Sequence, residues 1–546
     1  MGAAAIALAL GATPAAARLS LSDAARTYVE ARAAAMSGDH ARAAQLLASL
    51  AEAQPDQADI ARKALSEAIG AGDITLALSL ARTVPAAKLP VDARLLLATE
   101  EIRRRHPEQA GQWLRTADTG DLTFLAPLIS AWTAADRGDQ QQALAAFDQV
   151  STGSLLAPVE AEQRAFVLLR FRRTAEAEPL ARQAVGRAGV RDARLRLAFA
   201  DAFLAAGDQP RALMIIEGMG EGEIAARQRV TSGKNGGHSI DSLSKALSEV
   251  LTAFAGDLMR LQPGSPPMGL VQVARYANPQ NGGGTALLAL LLAKQERSAE
   301  ALALLRGIPP NDALMPQVRD VEVQILREDK KFNEAYQLAA TAAASPTADF
   351  ADFSRLGGVL QSMKRNNEAA DAYGRAIALV QAQKLDGELW PLLLLRASAL
   401  EDGNRWLEAR ADLQQALALA PDQPLLLNFL GYGKLERGED LDAAEAMIRK
   451  ASDLAPDEAS ITDSLGWAQF KRGKVDDAIA TLQRAAEKDP AQAEIQEHLG
   501  DALYRSGRRY EARFAWRASL VTAEDEVATR VNAKLASGLT PADAAP

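Results

Sequence analysis

Residues 460–490 read S-I-T-D-S-L-G-W-A-Q-F-K-R-G-K-V-D-D-A-I-A-T-L-Q-R-A-A-E-K-D-P, and this stretch decides the fold. Its first half places Leu465, Gly466, Ala468 and Phe470 on one helix. Gly473 breaks that helix, because glycine tolerates the positive φ at a helix end. Asp476 and Asp477 open a second helix, where acidic side chains suit the positive amino end. Ala478, Leu482 and Ala485 follow at spacings of four and three, so they share a face. Pro490 closes the unit, since proline cannot continue a helix. Antiparallel helices about 8–10 Å apart need small residues where they cross. Gly466 and Ala478 meet that need within the unit, Ala485 meets it toward the next unit, and Leu465 and Leu482 fill the remaining volume.

The unit recurs. Leu395-Arg396, Leu430-Gly431, Leu465-Gly466 and Leu499-Gly500 lie 35, 35 and 34 residues apart. Leu499-Gly500 goes with Gly507, Ala512 and Trp516, and Leu430-Gly431 with Gly438, Ala444, Ala451 and Pro456. Leu395 goes with Gly403, Ala409, Leu413, Ala416 and Pro421, and Leu356-Gly357 with Ala369, Tyr373 and Ala376. Toward the amino end the beat weakens but persists, as in Ala335, in Leu288 with Ala301, in Gly207 with Ala212, and back to Gly38 with Ala43 and Leu47. A fixed period of this size means stacked supersecondary units, each burying its neighbour's apolar face. The expected fold is all-α: an α-solenoid of about twelve helical hairpins, the six N-terminal ones degenerate. In such a stack the extended concave face is the usual working surface.

This pattern resembles the tetratricopeptide repeat, which places Leu-Gly, Tyr, Ala, an aromatic, Ala and Pro at these offsets. The resemblance implies a right-handed superhelix. Over about 350–520, N-F-L-G-Y (428–432), D-S-L-G-W (463–467), H-L-G-D (498–501) and E-A-R-F-A-W-R (511–517) also make the chain similar to large exported tetratricopeptide proteins of alphaproteobacteria. That group implies an architecture and a location, with no assigned chemistry.

Composition agrees. The 546 residues are 48% hydrophobic but only 5% aromatic, which favours close-packed helices over a β-sandwich. A net charge of −9 leaves no basic stripe for a nucleic acid. Cysteine is absent, which excludes disulfides, thiolate metal sites and thiol nucleophiles. Residues 1–20 form a signal-peptide-like leader: an apolar run from Ala3 to Leu10, then Thr13-Pro14-Ala15-Ala16-Ala17. The basic start of such a leader is missing, and the run is too short to span a bilayer.

The expected organisation is therefore a leader (1–20), a degenerate array (21–217), an irregular joint (218–285), a regular array (286–520), and a capping helix with a disordered tail (521–546). The joint breaks the phase with Gly218-Met219-Gly220, with Gly233-Lys234-Asn235-Gly236-Gly237-His238-Ser239, and with Gly282-Gly283-Gly284. Neither of the last two is a phosphate loop. The order G-x-x-x-x-G-K-[ST] after a strand is not met, so one reads as a flexible loop and the other as a linker. In the cap, Val527, Val531 and Leu535 recur every four residues.

No constellation carries catalysis. His40, His106, His238 and His498 are scattered, and none has metal-ligand spacing to another histidine or a carboxylate pair. No cofactor or metal is expected, and His498 reads as part of a solvated face beside Glu494 and Glu497. The positive signal lies on the inner face of the last units. Tetratricopeptide offsets place Asn428, Tyr432, Asp463, Trp467, Phe470, Lys471, Glu497, Asp501, Tyr504 and Arg505 there, with Glu436. Aromatics flanked by charges and amides suit an extended peptide, although packing between first helices would explain Trp467 and Tyr432 equally well. The expected function is a non-enzymatic scaffold holding a protein or peptide partner, exported to the periplasm and serving envelope assembly, secretion or polysaccharide export. A cytoplasmic interaction module or co-chaperone-like adaptor is the first alternative. The second is the regulatory arm of an enzyme such as a glycosyltransferase, against which no βαβ stretch remains.

Overall fold

The computed structural model describes residues 21–540 apart from 116–120, 221, 263–266, 310–311 and 313. The leader and residues 541–546 of the tail lie outside the described residues. The described residues form thirty α-helices and no strand. They fall into two compact units, one reaching Thr341 and including Ser345–Thr347, the other comprising Ala342–Ala344 and the chain from Ala348 onward.

Consecutive helices among the described residues pack side by side as hairpins, from Leu21–Met36 with His40–Ala53 to Ala493–Arg505 with Arg509–Ser519. The turn inside each hairpin has a recurring backbone state, a residue in the left-handed region, joined in the Gly438 turn by Asp440. Glycine fills it at Gly38, Gly72, Gly138, Gly207, Gly438, Gly473 and Gly507. Elsewhere the same turn is made by Arg105, Arg172, Glu296, Lys330, Lys364 and Asn404. A side chain there costs about 1 kcal/mol or more, so tertiary packing imposes the turn. In the unit containing Gly403 the left-handed residue is Asn404, and Gly403 itself keeps a negative φ of −86°. After four of the glycine turns an aspartate begins the second helix. Asp39, Asp73, Asp139 and Asp208 each accept a backbone N–H three residues on.

In the second unit the helix crossings fall on the small residues named above. A Cβ added at Gly466 would lie 2.6 Å from Leu482 Cγ, and one at Gly431 would lie 2.7 Å from Ile448 Cγ1. At Gly357 it would meet the Tyr373 ring at 2.8 Å, and at Gly500 it would overlap Trp516. Each crossing is therefore too close for any residue but glycine.

The first unit is built differently. Residues 218–285 carry the helices Glu223–Thr231, Leu243–Leu261 and Met268–Ala277. The last two pack against Ala58–Ala71, Val91–Arg103 and Ala126–Asp136, the first helices of the second, third and fourth hairpins. Gln272 Nε2 donates to Gly70 O, Tyr276 donates to Glu100, and Arg103 lies 4.2 Å over the Tyr276 ring. Farther on, Arg297 Nη1 donates to Gly38 O at 3.1 Å. The inner wall of these early hairpins is thus covered by the chain's own later helices.

Two further stretches differ from expectation. The 233–239 loop is fastened rather than loose. The buried Asp201 carboxylate accepts the N–H groups of Gly236 (3.0 Å) and His238 (2.8 Å) and pairs with Arg229. A loop that looks made for phosphate binds a carboxylate of its own chain. Gly282-Gly283-Gly284 is not a linker but the first turn of the helix Gly282–Ala293. Asn281 caps it, and Leu314 and Thr252 stand 3.0 and 3.2 Å from where side chains on Gly282 and Gly284 would begin.

Candidate partner-binding face

The first helices Pro424–Glu436, Ala459–Lys471 and Ala493–Arg505 lie in sequence beside one another, followed by the last helix, Asp525–Ser537. Period alone brings side chains about 31–35 positions apart into contact across them. Trp467 is the centre. Its Nε1 donates to Glu436 Oε1 at 2.8 Å, its ring stacks 4.2 Å from the His498 ring, and Lys471 Nζ sits 5.7 Å over it. Asp463 completes the group, with its carboxylate 2.9 Å from His498 Nδ1. Burial alone would lower the pKa of His498, but the adjacent Asp463 carboxylate outweighs it and the net shift is upward. His498 therefore belongs to a bonded cluster and not to a solvated face; its side chain is only 14% exposed.

Tyr432 is half-buried beside Trp467, against Leu435, Ala444, Ile448, Leu465 and Ala468. Burial first, then the nearby Glu436 and Asp463 carboxylates, raise its phenol pKa above the ordinary value. Asn428 is half-buried too, and its Oδ1 has no hydrogen-bond partner. Arg505 is exposed.

The other expected groove residues are occupied by the protein itself. Phe470 is fully buried in the core with Ala478, Leu482 and Leu503 and offers no surface to a partner. Glu497 accepts from Arg530 (2.8 Å) and Lys534 (2.6 Å) of the last helix. Asp501 accepts from Lys534 (2.6 Å) and from Trp516 Nε1 (2.8 Å). Burial would raise both carboxyls. For Asp501 burial wins and its pKa is raised, while Arg530 and Lys534 together hold Glu497 below its usual range. Tyr504 packs with Trp516, at 5.4 Å between rings, against the cluster that also holds Val527 and Val531 of the last helix. Arg530 and Lys534 had no signal in the sequence beyond their spacing of four on the capping helix.

What remains open is a patch of Asn428, Tyr432, Glu436, Trp467 and Lys471, with Arg505 farther along. It offers an aromatic platform, hydrogen-bonding groups and both charges. Among the described residues, no group of three or more metal-ligating side chains is assembled.

Residues 466–507 match the sequence family described as TPR repeat, the tetratricopeptide unit. Among proteins with curated functions none matches the chain. Its fold is similar to the Cut9–Hcn1 hetero-tetramer of the APC/C (16% identity, 95% of this chain and 97% of that one, TM-score 0.39). It is also similar to yeast Tom70 (12% identity, 94% and 95%, TM-score 0.36). A third similar structure is a tetratricopeptide repeat protein of Parabacteroides merdae (14% identity, 47% and 98%, TM-score 0.38).

Proposed function

We propose that the chain is a non-enzymatic scaffold that binds a protein or peptide along the Asn428–Tyr432–Trp467–Lys471 patch. The observation that carries this is the state of Trp467. Its indole is half-buried and held by Glu436 and His498, so it loses little rotamer freedom when a partner covers it. Rigid, part-exposed aromatics with a polar surround are the usual anchors of protein interfaces. The test is site-specific photo-crosslinking in the native cell. A photoreactive residue at Lys471 is expected to trap a discrete partner, whereas one at Tyr510, on the second helix of the last hairpin, traps none. Equal trapping at both positions would remove the assignment.

The proposed setting is the bacterial envelope, in assembly, secretion or polysaccharide export. The apolar stretch at 1–20 and the resemblance over 350–520 support it. Among the described residues no helix is long and apolar enough to cross a membrane. Sequencing the mature amino terminus tests the setting: a new start near Arg18 supports export, and an intact Met1 in the cytoplasmic fraction rejects it.

A further inference from the structure

The first unit closes on itself at a narrow seam. One side is the turn 37–39 with the start of the helix His40–Ala53. The other is the turn 294–297, between the helices Gly282–Ala293 and Ser298–Arg306. His40 and Gln295 meet there although 255 positions separate them. Gly38 has no side chain where Gln295 passes, and a Cβ on it would lie 3.4 Å from Gln295 Cβ. Arg297 reaches across with Nη1 to Gly38 O, while its Nε and Nη2 hold Glu300.

The pairing of His40 is incomplete in a specific way. Its side chain is 19% exposed, and its Nδ1 lies 2.7 Å from Glu67 Oε2. A carboxylate only accepts, so Nδ1 carries a proton and donates it. In the neutral ring Nε2 is then an acceptor. It faces Gln295 Nε2 at 3.5 Å, a long and weak hydrogen bond. The other half of that amide is unused, because Gln295 Oε1 is buried and has no partner. A second proton on the ring changes this pairing. Nε2–H then needs an acceptor, and turning the amide over brings Oε1 to it without a change of shape. One amide group stays unpartnered in either state, so the gain is the exchange of a weak neutral bond for a charge-assisted one.

Charged groups surround the ring from each side of the seam. Glu67 stands on the helix Ala58–Ala71, and Asp39 caps the helix that His40 begins. Arg297 and Glu300 stand on the far side. Arg297 holds the Glu300 carboxyl below its usual range, against burial and the nearby Asp39 carboxylate. Asp39 accepts from Arg42 N, and Glu300 pairs with Arg297, so neither needs His40. The link across the seam that changes with the charge of the ring is the one to Gln295.

We propose that His40 is a proton-operated clasp: its protonation ties the first hairpin to Gln295 and tightens the closure of the first unit, and loss of the proton loosens it. Closure makes a stronger bond to the protonated ring than to the neutral one, so by linkage acid favours the closed form and alkali the open one. Histidine is the side chain suited to this, since its charge ordinarily changes between about pH 5 and 8. The clasp lies in the first unit and does not rest on the partner-binding patch of the second.

The test uses the full chain, which has no cysteine, so two introduced cysteines take spin labels alone. Gln45→Cys, on the helix His40–Ala53, and Lys294→Cys, on the facing turn, are exposed positions. Their separation is read by pulsed electron paramagnetic resonance at about pH 5 and about pH 8. The ratio of short to long distances is expected to rise about fivefold at the acid end. His40→Gln keeps a neutral hydrogen-bonding side chain and is expected to remove the pH response. Gln295→Met is expected to do the same and is read in its place if the first variant does not fold. His106→Gln, at a histidine of the same unit whose side chain is 52% exposed, is expected to leave the response intact. A separation indifferent to pH, or one that shortens toward alkali, overturns the clasp. So does a response that survives in folded His40→Gln or Gln295→Met protein, or one that disappears in His106→Gln.

Discussion

Gly466→Ala is the most direct test of the packing that makes the second unit a stack. The new methyl would sit 2.6 Å from Leu482 Cγ, 2.8 Å from Leu482 Cδ2 and 3.2 Å from Leu482 N. Leu482 is fully buried, so its side chain has nowhere to go, and the backbone nitrogen cannot yield without moving the helix. Overpacking of this kind costs about 1–3 kcal/mol. The better helix propensity of alanine returns about 1 kcal/mol, leaving a net loss of up to about 2 kcal/mol. Gly374→Ala is the matched control. It too lies inside a helix, Asn366–Gln383, but its added Cβ would find only Arg396 Nη1 at 3.5 Å, an ordinary contact at the end of a flexible side chain. That change should stabilise by about 0.5–1 kcal/mol. In thermal unfolding followed by circular dichroism, the first variant should lower the second unit's midpoint by several degrees and the second should raise it. The scale is about 2–4 °C per kcal/mol for a domain of this size. A double variant, Gly466→Ala with Leu482→Ala, removes the obstructing side chain and should be no less stable than Leu482→Ala alone. Shifts of the same sign for the two single variants, or strict additivity in the double, would refute the crossing.

Three other outcomes follow from buried charge. Lys534→Met leaves Glu497 and Asp501 facing each other without their shared cation, a loss of about 3–5 kcal/mol from the docking of the last helix. Hydrogen exchange should then rise across 525–537 while the middle of the unit stays protected. His498 has its pKa raised in the folded state, so the cluster with Asp463 contributes fully below the unfolded value near 6.5 and fades as pH climbs through the folded value. The urea midpoint of the second unit should fall over that climb, and His498→Gln should flatten the fall. Asp201→Asn removes the carboxylate that holds Gly236, His238 and Arg229. It should expose the 233–239 loop to limited proteolysis at Lys234, and unchanged cleavage would mean that the loop is held by something else.

The last third of the chain was readable because each requirement there is met by one residue type. A close crossing needs Gly466, and a left-handed turn takes Gly473. The signal fades upstream for a specific reason. At Arg105, Arg172, Glu296, Lys330 and Lys364 the same turn is made by side chains that disfavour it, so the backbone keeps a period that the residue pattern has lost. The covering of the early hairpins by Leu243–Leu261 and Met268–Ala277 was not readable at all. The partners of these helices lie up to about 200 positions away, as Gln272 does from Gly70 (separation 202), and no local periodicity encodes such a contact. At the candidate face, Trp467 and Tyr432, which helical offsets place on one side, pack against the same cluster. The offsets could not reveal that Phe470 is sealed in the core or that Glu497 and Asp501 are taken by Arg530 and Lys534. A charge on an inner helix shows its position but not which cation reaches it.

The long-range closure of the first unit sets an order of events during synthesis. Neighbouring hairpins of the second unit bury one another, so that part can fold progressively as it emerges from the ribosome. The Ala58–Ala71 helix, by contrast, stays without its cover until Gln272 has been made, 202 residues after Gly70. At about 5–20 residues per second, that is a delay of roughly 10–40 s. Throughout it the early apolar surfaces stand open to solvent and to other chains, which makes the nascent first unit a natural client for a holdase.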